Sequence, residues 1–187
     1  DTAQNTDAGI FQFGEIVYTV PGTYVYEISE VNQGQEGYTY DGSVYQVTVT
    51  VTDEGGQLRA QTAGLDKVVF NNSYKPAAAV LDGDAAIHGQ KTLTGRDMKE
   101  GEFAFQLLDK DNNVVSETVN SADGSFRFDA LTFEEAGDYY YTMVEKNTEL
   151  GGITYDTTGY TVKVHVEDKG GHLEASVQYL DPEGTEV

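Results

Sequence analysis

Apolar and polar residues alternate with period two along most of this chain, and that alternation predicts strands. The cleanest run is Val44 to Thr52, where Val47, Val49 and Val51 fall on one face and Thr48 and Thr50 on the other. Two further runs carry the pattern with one break each. In YVYEISEVN, Tyr24 to Asn32, the residues Tyr24, Tyr26, Ile28 and Glu30 share a face. In YYYTMVEKN, Tyr139 to Asn147, the same face holds Tyr139, Tyr141, Met143 and Glu145. A glutamate thus stands where a core residue is expected, and it does so twice. Burying an unpaired carboxylate costs several kcal/mol or forces the group to stay protonated, so the placement needs a reason.

The same period predicts strands at 11–13, 57–62, 68–74, 87–94, 102–109, 114–119, 125–131, 160–168 and 172–178. DEGG at 53–56 is a hairpin turn and DKDNN at 109–113 a second turn. Residues 134–137 are expected to make a short turn of helix, and nothing else has a helical period. About seven short alternating strands per unit fit an all-β fold, an antiparallel β-sandwich of immunoglobulin type.

The two glutamates are 115 positions apart, and that one offset aligns a long stretch without a gap. Phe11 and Phe13 match Phe126 and Phe128. Thr39, Tyr40 and Asp41 match Thr154, Tyr155 and Asp156. Tyr45, Val47, Val49 and Val51 match Tyr160, Val162, Val164 and Val166. The chain is therefore a tandem array whose unit has a common domain size. The expected division is 1–80, the later part of one repeat, and 81–187, the early and middle part of the next. Residues 75–86 are the expected junction.

Composition narrows the function. Acidic residues outnumber basic ones 32 to 11, for a net charge of −21. This argues against nucleic acid or anionic lipid as partner and favours a soluble, self-repelling surface. With no cysteine there is no disulfide framework and no thiolate metal site. No apolar run approaches the roughly 20 residues needed to span a bilayer, so membrane insertion is not expected. The three histidines have no ligand spacing, and DKDNN lacks the glycine and glutamate of a calcium loop. No metal or other cofactor is expected, and no nucleophile–histidine–acid set is present.

Parity places two more polar residues in phase with apolar ones. Asn72 shares a face with Val68, Phe70 and Tyr74, and Lys91 shares one with Ile87, Gly89 and Leu93. Parity alone leaves two readings open. These are edge residues, the lysine snorkelling and the glutamate at a sheet end, or the three polar groups meet in the core and react.

KTLTGRDMKEGEFAFQL (91–107), GDYYYTMVEKN (137–147), ITYD (153–156) and FNNSY (70–74) resemble the isopeptide-linkage domains of Gram-positive pilins and surface adhesins. These in turn are similar to collagen-adhesin B-type sandwiches. The resemblance implies a lysine on the first strand joined covalently to an asparagine on the last, with a strand glutamate as catalyst. It assigns Lys91 as the lysine, Glu145 and Glu30 as the glutamates, and Asn72 as the asparagine. Asn71 is the runner-up, turned outward by parity.

The chemistry suits such residues. An amine attacks only when neutral, and burial favours that form; burial also favours a protonated glutamate, which can donate to the amide oxygen and relay protons to departing ammonia. Phe103, Phe105, Tyr139 and Tyr141 are candidates to exclude water. The event is a single-turnover maturation, not enzymatic turnover. Neither repeat portion holds all three residues, so neighbouring repeats or other copies of the chain are the expected partners. Strand exchange or a permuted domain would join Lys91 to Asn72.

The resemblance implies a stalk or shaft repeat of an extracellular, cell-wall-attached adhesin or pilus. The alternative is a module whose loops bind a host glycan or matrix protein, although no loop is long or aromatic enough to favour it.

Overall fold

The computed structural model describes all 187 residues. It holds fourteen strands and two 3-10 turns, Leu65–Lys67 and Gly83–Ala85, with no α-helix. No helix is long and apolar enough to cross a membrane. The chain divides into two compact units. One is Asp1–Gln33 with Thr39–Ser73, and the other is Gly34–Tyr38 with Tyr74–Val187.

The first strands in the chain are β1 (Gly22–Ser29), β2 (Tyr38–Thr39), β3 (Val44–Asp53), β4 (Leu58–Ala63) and β5 (Ser73–Tyr74). An antiparallel sheet of order β1-β3-β4 forms the body of the first unit. Its register sets Tyr24 opposite Val49 and Tyr26 opposite Val47. Ile28, Val47, Val49 and Val51 are buried, while Val25 and Val44 on the other face are exposed. The face carrying the alternating valines is the inner one, as the period-two pattern requires.

The second unit is an antiparallel, immunoglobulin-like β-sandwich. One layer is a five-stranded sheet of order β14-β13-β12-β8-β9. These strands are β8 (Ala104–Leu108), β9 (Val114–Val119), β12 (Gly137–Lys146), β13 (Tyr160–Asp168) and β14 (Leu173–Leu180). The opposing layer consists of two short ladders. In one, β6 (Ala79–Leu81) pairs with β11 (Leu131–Phe133); in the other, β7 (His88–Gln90) pairs with β10 (Ser125–Arg127). Phe105, Leu107, Val162, Val164 and Val166 from the large sheet meet Leu81, Ile87, Phe126, Phe128 and Phe133 from the other layer. Phe105 and Phe126 stack face to face at 3.7 Å. The segment 75–86, expected as a junction, thus supplies a strand and the buried residues Ala79, Leu81 and Ala86.

Several expected strands are shorter or absent, and the reason is the ladder. Residues 125–127 form β10 because β7 pairs with them. The matching Phe11–Phe13 is not a strand, although its rings pack on each other and Phe11 packs on Phe70. The strand expected at 68–74 survives only as β5; before it, single contacts hold the chain, such as the Tyr45 hydroxyl donating to the Val69 carbonyl at 2.7 Å. The run 87–94 pairs only at 88–90, and 125–131 breaks into β10 and the start of β11. Residues 134–137 are a bend entering β12, not a helical turn. DKDNN folds on its own first side chain: the Asp109 carboxylate accepts from the Asp111 and Asn113 backbone N–H groups, both at 2.8 Å.

The loop before β8 is fixed by charge. Glu102 accepts from Arg96 in a two-pronged contact and from the Lys99 backbone N–H at 3.1 Å. The Arg96 guanidinium, first, and the Lys99 N–H hold the Glu102 carboxyl at about 2. A carboxylate depressed in the folded state stabilises above its unfolded value, about 4.3, and loses that contribution as pH falls through the folded value. We expect the stability gap between the native chain and Glu102→Gln to be constant above about pH 5 and to close toward pH 2. Urea unfolding across that range checks it, and a gap independent of pH would remove the assignment.

Candidate functional site

The second unit brings Lys91 and Glu145 together. Lys91 follows directly on β7, and its backbone N–H donates to the Gly124 carbonyl at 2.8 Å. Gly124 has φ +88, and a Cβ there would run into the Lys91 carbonyl oxygen. Only glycine allows the 121–125 turn to lie against this strand so closely. The lysine then reaches across to the large sheet. Its Nζ donates to Glu145 Oε2 at 2.8 Å, with the two side chains 13% and 4% exposed. The Phe103 ring lies 4.9 Å from Nζ, so the ammonium is covered by an aromatic face on one side.

Glu145 faces inward from β12, where it is the register partner of Phe105. Its Oε2 accepts a second bond, from the Asp156 backbone N–H at 2.8 Å. Its Oε1 is buried and has no hydrogen-bond partner. Such an unmet acceptor costs about 1–3 kcal/mol. A cleft of about 250 Å³ opens here, lined by Lys91, Glu145, Asp156, Phe105, Met143 and Val187 among others.

The first unit brings Glu30 and Asn72 together. The Asn72 carboxamide nitrogen donates to Glu30 Oε1 at 2.7 Å. The Asp41 backbone N–H is shared between Glu30 Oε2 at 3.1 Å and Asn72 Oδ1 at 2.9 Å. Since an N–H can only donate, the atom of Asn72 facing Asp41 is the oxygen, and the atom facing Glu30 is the nitrogen. This differs from the expectation that the glutamate meets the amide oxygen; that oxygen is already taken by the Asp41 N–H. Asn71 plays another part. Its backbone N–H donates to the Asp41 carboxylate at 2.8 Å, which anchors the segment and leaves the neighbouring side chain to reach Glu30.

The two glutamates are repeat equivalents, and so are the aspartates whose N–H groups they accept. Each glutamate holds one of the other two polar residues, Lys91 in the second unit and Asn72 in the first. Burial is uneven: the lysine pair lies in the interior, whereas Asn72 is exposed and Glu30 half-buried. Lys91 and Glu145 meet in the second unit, and Asn72 meets Glu30 in the first, a unit built on one three-stranded sheet. Of the four aromatics expected to exclude water, Phe103 and Phe105 stand at the site. Tyr139 packs on Phe133, and its hydroxyl donates to the Glu135 carbonyl at 2.9 Å. Tyr141 is half-buried toward the start of β12, where burial pushes its hydroxyl pKa up.

Period-two reasoning missed three residues. Asp41 and Asp156 were visible only as matched positions of the repeat. Asn120, 1% exposed, accepts from the Phe103 N–H at 2.7 Å and donates to the Lys99 and Ser121 carbonyls, both at 2.8 Å. It fixes the backbone under Phe103. A buried asparagine just past the end of β9 has no periodic signature.

Two stretches of the chain, 1–75 and 87–186, match the model of the Spy0128-like isopeptide-containing domain, FctA. The chain belongs to that family. It is also similar to a pilin of Streptococcus pyogenes serotype M1, with 46% identity over 48 residues. That match covers 25% of this chain and 14% of the pilin's length.

Proposed function

We propose that this chain is a shaft element of a Gram-positive surface pilus, stabilised by lysine–asparagine amide bonds that form without an external enzyme. Lys91 and Asn72 are the linking residues, and Glu145 and Glu30 promote the reaction. The carrying observation is that two repeat-equivalent glutamates each grip one of the two reactants of an amide-forming step. Membership of the isopeptide-containing family and similarity to a pilin support the same reading. Other copies of the chain, or neighbouring repeats, would be the partners, and the cell surface the location.

The step balances without a cofactor. The neutral Lys91 amine attacks an asparagine carboxamide carbon, and the carbonyl electron pair moves to oxygen. One amine proton passes through the glutamate carboxyl to the amide nitrogen. The C–N bond then breaks, ammonia leaves, and the carbonyl re-forms. Two polar side chains become one neutral amide. A covalent tie between strands means that pulling the fold apart requires breaking a bond.

The test is the intact mass of the denatured protein. A bond closed within the chain leaves it one ammonia lighter than its sequence mass. Bonds between copies give a covalent ladder, each link one ammonia short. Lys91→Ala should abolish either product. Full sequence mass under all conditions, or a cross-link that persists in Lys91→Ala, overturns the assignment.

A further inference from the structure

We propose that the backbone N–H of Asp41, and of its repeat equivalent Asp156, is the donor that receives negative charge on the asparagine oxygen during amide formation. The carboxylate of the same residue positions that donor. This rests on the cross-linking role proposed above but is carried by separate contacts.

In the first unit the Asp41 N–H lies 2.9 Å from Asn72 Oδ1, the atom on which charge develops when an amine adds to the carboxamide carbon. This is a normal hydrogen bond to the ground-state oxygen, so a donor is already aimed at the atom on which charge develops. On the opposite side the departing nitrogen already faces Glu30 at 2.7 Å. Oxygen and leaving group are thus held by two different donors and acceptors, which is what a transition state with charge on one atom and a proton arriving at the other requires.

The side chain of Asp41 aims this N–H. One carboxylate oxygen accepts from the Ser43 backbone N–H at 2.9 Å, which closes a local turn. The other accepts from the Asn71 N–H at 2.8 Å, which docks the asparagine-bearing segment. The Ser43 hydroxyl, first, and these two backbone N–H bonds hold the Asp41 carboxyl below the usual carboxylate range. Asp156 repeats the turn, accepting from the Thr158 N–H at 2.8 Å. Its own N–H points at Glu145 Oε2, also at 2.8 Å. In the first unit the equivalent contact to Glu30 has lengthened to 3.1 Å, where the N–H is shared with the carboxamide. Arrival of an asparagine on Glu145 would draw the Asp156 N–H partly from carboxylate to carboxamide. That transfer weakens the N–H bond to the glutamate as the oxyanion needs it.

Two measurements on the full chain test this. The first does not depend on any cross-link. Nuclear magnetic resonance should show a through-hydrogen-bond coupling from the Asp41 amide nitrogen to the Asn72 side-chain carbonyl carbon, absent in Asn72→Ala. No such coupling in the native chain overturns the proposal. The second is the rate of ammonia loss. Asp156→Ala should slow it by on the order of 10- to 100-fold, less than the ~10²–10³ for deleting an oxyanion donor outright, because the N–H remains but loses its aim. Asp156→Asn keeps an oxygen for the Thr158 N–H and should restore most of the rate. A native rate in Asp156→Ala refutes the positioning role while the cross-link stands. A native chain that never loses ammonia refutes the cross-link and, with it, this role for the N–H.

Discussion

Replacing Lys91 by alanine should destabilise the uncross-linked second unit by roughly 3–5 kcal/mol, well above the cost of an ordinary surface ion pair. The size follows from burial. Glu145 is 4% exposed, and without the ammonium its carboxylate keeps only the Asp156 N–H. Oε1 already has no partner, so nothing nearby takes up the lost bond. Glu145→Ala should cost a similar amount, since the ammonium would then sit against the Phe103 ring with its counter-ion gone. The diagnostic result is the double variant. Lys91→Met with Glu145→Leu removes both charges and keeps apolar volume, so it should recover most of the loss, and a cycle of urea unfolding curves should show strong coupling. Additive single effects would mean that the two groups do not share one buried contact.

The stability result bears on function because, on the function proposed above, the same pairing would be half of a reactant complex. A lysine and a glutamate buried together are poor stabilisers compared with well-packed apolar residues. In a core built mainly of Phe, Leu, Val and Ile, the proposed reaction, which ends in a neutral amide, would account for their presence. The Glu145 Oε1 that lacks a partner is the counterpart of the Glu30 oxygen that accepts from Asn72. On equivalent glutamates, each unit by itself thus holds a different group, an amine in one and a carboxamide in the other.

Much of this was legible in the chain. Alternation placed β3, β9, β12 and β13 to within two residues, because each lies in a sheet with one face buried and the other open, where period two is enforced. The inward glutamates broke that period, and the break singled out the candidate site. Strand ends and short strands were less legible. Whether Phe11–Phe13 or Val68–Asn72 pairs depends on a distant partner, which no local pattern encodes. The Asp41 and Asp156 contacts use backbone N–H groups, and a backbone donor leaves no residue-type signature. Asn120 is similar, being recognisable only once the Phe103 backbone and the Lys99 carbonyl are known to meet there.

Phe103→Ala should be the most damaging apolar substitution at the site, costing about 3–5 kcal/mol. The side chain is fully buried, packs edge-on against Tyr155 at 6.2 Å, and forms the floor under the Lys91 ammonium. Its backbone is tied to Asn120 in both directions, so the strand cannot easily shift to fill the hole. A void beside Lys91 would also admit water to the reacting atoms. Phe103→Leu separates these effects. It removes the aromatic face but keeps most of the apolar cover, so the stability loss should be smaller than for alanine. If exclusion of water is what the ring contributes to reactivity, ammonia loss in Phe103→Leu should stay within a fewfold of native while Phe103→Ala loses most of it. If both variants fail equally at temperatures where both are folded, the aromatic face itself is required, and contact between the ring and the amine, rather than dryness, governs the step.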